Sequence, residues 1–242
     1  VRRFIVTAFF TVVFVRELAL TAHGDQVYAT LGSDDFSIGS DAAGGDVRYK
    51  GTQSLHIAAH GKFVRYSAHV AYTRTERGNA SKAKATYVAD VLPTGELAST
   101  ADDDPNYLTV LNQPFAAQLD TQTLADLTHL RKPLPFEFPS PFTGSSLHGF
   151  LQHRSGGAFG KRRSVAVRFE AAGTMRGALP DRTDLVLVGR IAMRGTAYYD
   201  SVSALLLALE TTVTISGTLS NHAAKDPVRI VYARSMRALP PP

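Results

Sequence analysis

The sequence predicts a mainly-β fold: a strongly curved antiparallel sheet or an open barrel, with one short helix near residues 120–131. Three observations predict it. Long stretches alternate apolar and polar residues with a period of two, as SLHIAAHGKFVRYSAHVAYTR does from Ser54 onward. Short Gly-containing breaks separate these stretches. One segment alone, DTQTLADLTHLRKP, carries helix punctuation: Asp120 can cap it, Leu124, Leu127 and Leu130 are spaced three apart, and Pro133 ends it.

Taken in order, residues 1–24 read as a signal peptide. Arg2 and Arg3 form a basic start, and Phe4 to Val15 is an apolar run too short to span a bilayer. Ala22-His23-Gly24 then places small residues before a cleavage at Asp25. Residues 25–46, rich in Gly, Asp, Ser and Ala, read as a flexible lead-in, and residues 47–242 as a single mainly-β domain. No later run approaches about 18 apolar residues, so no transmembrane span is expected after the leader.

The first hairpin is expected to turn at His60-Gly61, pairing Ile57 with Val64, Leu55 with Tyr66 and His56 with Arg65. Glu76 to Lys82 turns again, and Ala83, Ala85, Tyr87, Ala89 and Val91 then share one face. Asp102 to Pro105 reads as an acidic loop. After the helix, Pro133, Pro135, Pro139 and Pro141 make an extended segment that cannot be central in a sheet, and it reads as a crossing between two halves.

The stretch AYYDSVSALLLALETTVTISG is ambiguous between helix and strand. Counted by two, Leu205, Leu207, Leu209, Val213 and Ile215 share one face. Leu206, Ala208, Glu210, Thr212 and Thr214 share the other. The β-branched run that follows has low helix propensity, so a long hairpin turning at Asp200 to Ser203 accounts for the whole stretch. Leu206 and Ala208 make its start apolar on both sides, which calls for a cover.

Composition excludes several chemistries. The chain has 242 residues, 44% hydrophobic and 19% charged, enough to bury a core without staples. It has no cysteine, so disulfides, thiolate metal sites and cysteine nucleophiles are excluded. A formal charge of +5 is too small to argue for nucleic acid. Arg190 and Arg194, joined by Arg168, Arg176 or Arg234, would form a basic face, but base-stacking aromatics are not interleaved with them apart from Tyr198. No cofactor motif is present, and none is expected to bind.

His56, His60 and His69 lie close in sequence, but the hairpin spreads them along a ladder, so they read as exposed strand histidines rather than metal ligands. Asp34, Asp35 and Asp41, or Asp102, Asp103, Asp104 and Asn106, offer oxygen clusters without the spacing of a calcium loop. Ser145 or Ser146 with His148 supplies the residue types of a serine hydrolase, with Gly149 one position too late for a nucleophile elbow. Tyr66, Tyr72, Tyr87, Phe115, Phe136, Phe138, Phe142 and Met193 are the candidate lining of an apolar groove in the hollow of the sheet. The plainer reading is that they fill a core.

The layout of leader, long meander, Pro-rich crossing and terminal hairpin resembles uncharacterised exported bacterial β-rich proteins. It is also similar in outline to the half-barrels that carry lipids or lipoproteins across the periplasm. That resemblance implies a non-catalytic protein, periplasmic or associated with the cell surface, that binds a lipid or amphiphile in its hollow. An envelope protein partner, held by a structural module with a solid core, is the alternative, and a serine hydrolase the second alternative.

Overall fold

In the computed structural model, residues 23–39, 41–92, 94, 96–102, 119–130, 132–140, 146–179, 182–221 and 225–240 are described. The strands are β1 (His23–Ile38), β2 (Asp41–His60), β3 (Phe63–Glu76), β4 (Asn79–Val91), β5 (Leu97–Asp102), β6 (Leu134–Pro139), β7 (Ser146–Arg154), β8 (Ala158–Phe159), β9 (Arg162–Leu179), β10 (Arg182–Asp200), β11 (Leu206–Ser220) and β12 (Lys225–Ala238). The helix is α1 (Thr121–His129). The twelve-stranded sheet runs β5-β4-β3-β2-β1-β12-β11-β10-β9-β7-β6, with β8 off that path on β9. Every pairing is antiparallel. The sheet is curved and open, ending on β5 and β6 rather than closing into a barrel.

Local chemistry sets the turns. Arg77 and Gly78 both adopt positive φ, 49° and 84°, the requirement of a two-residue hairpin whose twist matches its strands. The β2–β3 turn is Gly61-Lys62, with Gly61 at φ 61°. Ile57 therefore faces Tyr66, Leu55 faces Ala68 and His56 faces Ser67, two residues along from the pairing expected. A shift of two keeps every side chain on its face. Asp200 holds the β10–β11 turn by accepting from the backbone N–H groups of Val202 and Ser203, both at 3.0 Å. Asp120 caps α1 through the N–H of Thr123 at 2.6 Å.

Two expectations are corrected. The 25–46 segment is not a loose lead-in: it forms β1 and the start of β2, and β1 lies between β2 and β12 inside the sheet. Leu206 does not share a face with Ala208. A bulge pairs Tyr199 with Leu206 but Tyr198 with Ala208, which adds Leu207 as an extra residue and turns Leu206 into the main core. Both Leu206 and Leu207 are buried. The Pro-rich segment supplies β6, at an edge, where missing backbone donors are tolerated.

One face of the sheet is buried over most of its width. Register places Leu134, Leu151, Phe169, Gly195, Thr211, Arg234, Gly32, Tyr49, Arg74 and Ser81 in a single row across it. Large side chains in this row lie over glycines. A Cβ on Gly195 would sit 2.4 Å from the Phe169 ring and 2.3 Å from the Glu210 carbonyl oxygen. Gly195→Ala is expected to cost about 1–3 kcal/mol by overpacking. Gly157→Ala, where a Cβ meets nothing within 4 Å, should leave the thermal midpoint unchanged. Denaturation of the two variants side by side checks this.

Candidate functional site

The inner face holds two apolar clusters with a polar group between them. The larger runs from Leu55, Tyr66, Tyr87 and Leu97 through Leu124 and Leu127 of α1 to Phe138, Phe169 and Leu209. The smaller comprises Val47, Tyr49, Val70, Tyr72 and Ala85. Arg234 enters from β12 by the same alternation that turns Val228, Tyr232 and Met236 inward. It is only 6% exposed. Its stem lies over Gly32, where a Cβ would be 2.7 Å from Arg234 Cδ. Its Nη1 donates to the carbonyls of Ser33 at 2.8 Å and Ala233 at 2.9 Å. Its Nη2 is ion-paired with Asp34, and the Tyr49 and Tyr232 rings lie 5.1 and 5.6 Å from the guanidinium carbon.

The network continues sideways. Tyr49 hydrogen-bonds Asp34 and Arg74, and Arg74 is ion-paired with Glu76 at 2.6 Å. Burial pushes the Asp34 carboxyl above its ordinary range, against the pull of Arg234. Burial, helped by the Asp34 charge, pushes the Tyr49 hydroxyl up to about 12. Each cation has a carboxylate beside it, so the group is neutral overall. An anion entering the hollow would have to displace Asp34 from Arg234.

The sequence-derived residues fall as follows. Tyr66, Tyr72, Tyr87 and Phe138 are on the inner face, 0–5% exposed. Phe136 and Met193 are partly buried against the main core. Phe136 meets Phe138 edge-on at 5.0 Å. Phe115 and Phe142 lie outside the described residues, as does Ser145. Ser146 and His148 do converge, but on Glu137: Ser146 Oγ donates to Oε2 at 2.8 Å, and His148 Nδ1 lies 2.5 Å from Oε1. The carboxylate stands between hydroxyl and imidazole, whereas a hydrolase needs the imidazole between the other two.

Arg168, Arg176, Arg190 and Arg194 share the outer face, where Arg194 is opposite Glu170 and Arg168 is ion-paired with it. Arg234 does not join them; it faces the other way. Asp34 and Asp35 are likewise on opposite faces, and Asp35 lies across from Asp46. His56, His60 and His69 are exposed, and no group of three metal-ligating side chains occurs among the described residues. Of the acidic loop, Asp102 belongs to β5 and residues 103–106 lie outside the described residues. The inward Asp34–Arg234 pair is the feature missed in the sequence. Its signal was the alternation of Tyr28, Thr30, Gly32, Asp34 and Phe36.

The fold and site define a mainly-β protein built on one curved, open sheet with a buried ion pair in its hollow. No family model and no curated protein matches the sequence. Among solved structures it is similar to lipovitellin, in a structure of lipid–protein interactions in lipovitellin, at 10% identity and a TM-score of 0.39. That match covers 89% of this chain and 25% of the lipovitellin chain, so the present chain spans about a quarter of that length. It is also similar to a Bacteroides fragilis protein proposed to belong to the outer membrane, at 10% identity and a TM-score of 0.18, over 87% of this chain and 96% of that one. Neither likeness bears on function. No described helix is long and apolar enough to cross a membrane.

Removing one partner of a buried ion pair leaves an uncompensated charge, at a cost of about 3–5 kcal/mol. Arg234→Met is therefore expected to be strongly destabilised in urea. Arg234→Met combined with Asp34→Asn should recover a large part of the loss. If the double variant is no more stable than the single, charge burial is not what the pair manages.

Proposed function

We propose that this is a non-catalytic, exported envelope protein, periplasmic or at the cell surface, that holds an apolar or amphiphilic ligand in the hollow of its curved sheet. The observation that carries this reading is the open edge. The apolar inner face ends at β6 instead of closing on β5, and the side chains there, Leu134 and Phe136, are only partly buried. An apolar chain laid along that edge would cover surface that the sheet leaves exposed. Curved apolar faces with few polar groups are the usual form of a ligand site. The leader pattern of residues 1–24 supports export.

A second reading has its own support. Tyr66, Tyr87 and Phe138 are 0–2% exposed, which is the packing of a solid core. On that reading an envelope protein partner meets the sheet edges or the 133–142 segment.

Mass spectrometry separates the two. Protein purified gently from its native envelope fraction would be weighed intact and again after organic extraction. A stoichiometric lipid, reduced in Phe136→Glu, is expected. A mature chain starting at Asp25 with nothing extracted moves the conclusion to the solid-core protein. A chain retaining residues 1–24 would replace the cleaved leader with an anchor.

The hydrolase reading is tested apart from these. The Ser146–Glu137–His148 order leaves the hydroxyl without an imidazole base. A fluorophosphonate probe is expected to leave Ser146 unlabelled, and labelling lost in Ser146→Ala would restore that reading.

A further inference from the structure

The outer face of β1–β4 carries a charge pattern that neither the fold nor the hollow requires. Register places Leu31, Lys50, Thr73 and Lys82 in one row, and Ala29, Thr52, Ala71 and Lys84 in the next. Each row crosses four strands, a span of about 14 Å. Lys50, Lys82 and Lys84 line one open basin of about 750 Å³, floored by Thr52, Ala71 and Thr73. No carboxylate among the described residues lines it. The acidic groups on this face lie beyond it: Asp46 is paired with Arg48, Asp90 with Arg65, and Asp35 lies across from Asp46, four residues along β1 from Leu31.

Edge protection explains part of this pattern. Lysines on an exposed strand edge discourage strand addition, and β5 pairs β4 only from Tyr87 onward, leaving Lys82 and Lys84 on a stretch without that neighbour. It does not explain Lys50, which lies on β2 between β1 and β3. Nor does it explain the apolar side chains beside the lysines. Val27 is 39% and Leu31 54% exposed on β1, inside the sheet. Leu31 is the direct cross-strand neighbour of Lys50. Val27 and Lys84 line the same smaller basin, of about 350 Å³. A soluble polyanion would be met by lysines alone; exposed apolar side chains set among lysines match a surface with both anionic heads and apolar depth.

We propose that this face docks on an anionic lipid surface, with Lys50, Lys82 and Lys84 at the head groups and Val27 and Leu31 at the apolar boundary. Basic residues beside an anionic membrane each contribute about a fivefold gain in partition, so three give roughly a hundredfold. The proposal goes beyond the hollow: a protein from which no lipid is extracted can still bind vesicles this way, and the two tests fail separately.

The experiment is co-sedimentation of the full chain with vesicles of phosphatidylcholine, alone or mixed with phosphatidylglycerol, at low and high salt. Binding is expected only with the mixed vesicles and should weaken with salt. The Lys50→Gln, Lys82→Gln, Lys84→Gln triple variant should lose it by about a hundredfold. Leu31→Ser should weaken vesicle binding while leaving binding to inorganic polyphosphate unchanged. These surface variants are checked for an unchanged circular dichroism spectrum. Equal binding to both vesicle types, or a triple variant that binds as well as the parent, overturns the proposal. So does a Leu31→Ser protein that binds vesicles as the parent does while polyphosphate competes fully, since the face would then serve a soluble polyanion.

Discussion

The structure depends on close approach across the inner face of a single bent sheet. A sheet this wide can bury one face against itself only if its strands coil, and coiling brings inward side chains into each other's space. The row through Arg234 shows the solution. Phe169 lies over Gly195, and Arg234 lies over Gly32. A large group is thus accommodated where its cross-strand neighbour has no Cβ. At Gly51 the close approach is to the neighbouring strand itself, where an added Cβ would be 2.2 Å from the Ala71 carbonyl oxygen and 2.8 Å from Tyr72 Cα. These glycines are placed for contact, and none of the three is held at positive φ.

The same constraint accounts for the buried charge. Arg234 and Asp34 occupy inward positions by strict alternation, so neither can turn to the outer face without breaking register. Taking two ions out of water costs several kcal/mol each, and the attraction between them recovers this only when the remaining polar atoms are also met. Here two backbone carbonyls take Nη1 and two tyrosine rings lie 5.1 and 5.6 Å from the guanidinium carbon, but the buried Nε has no hydrogen-bond partner among the described residues. Asp34 still has its carboxyl raised, which says that desolvation outweighs its cation. Removing either partner would leave the other charge buried without its counter-ion. A slip of one residue in either strand would carry that strand's charge to the outer face and leave the other charge alone inside.

How much of this was legible depends on the range of the signal. The hairpin faces were readable because period-two alternation survives an error of two residues, as the β2–β3 register did. The helix was readable because its cap is local: Asp120 and Thr123 are three residues apart. β1 was not recognised because Gly32, Asp34 and Asp35 look like loop residues until their partners on β2 and β12 are known. Leu206 was misplaced because a bulge is a property of two strands, and one strand's sequence carries no mark of it. Of the candidate site, the aromatic positions on β3, β4 and β6 were readable as inward. The ion pair linking residues 34 and 234 was not, since nothing local connects them.

The two faces of the sheet therefore do different work. The inner face is largely apolar, and its Arg234 and Arg74 each lie beside a carboxylate. An anionic group brought there would compete with Asp34 for Arg234, and apolar surface is left partly exposed at the β6 edge, at Leu134 and Phe136. The outer face of β1–β4 carries Lys50, Lys82 and Lys84 near exposed Leu31, with Asp46 and Asp90 each beside an arginine. On the reading proposed above, a protein that met a lipid surface with the outer face of β1–β4 would keep the β6 edge free, because β12, β11, β10, β9 and β7 lie between β1 and β6 in the strand order.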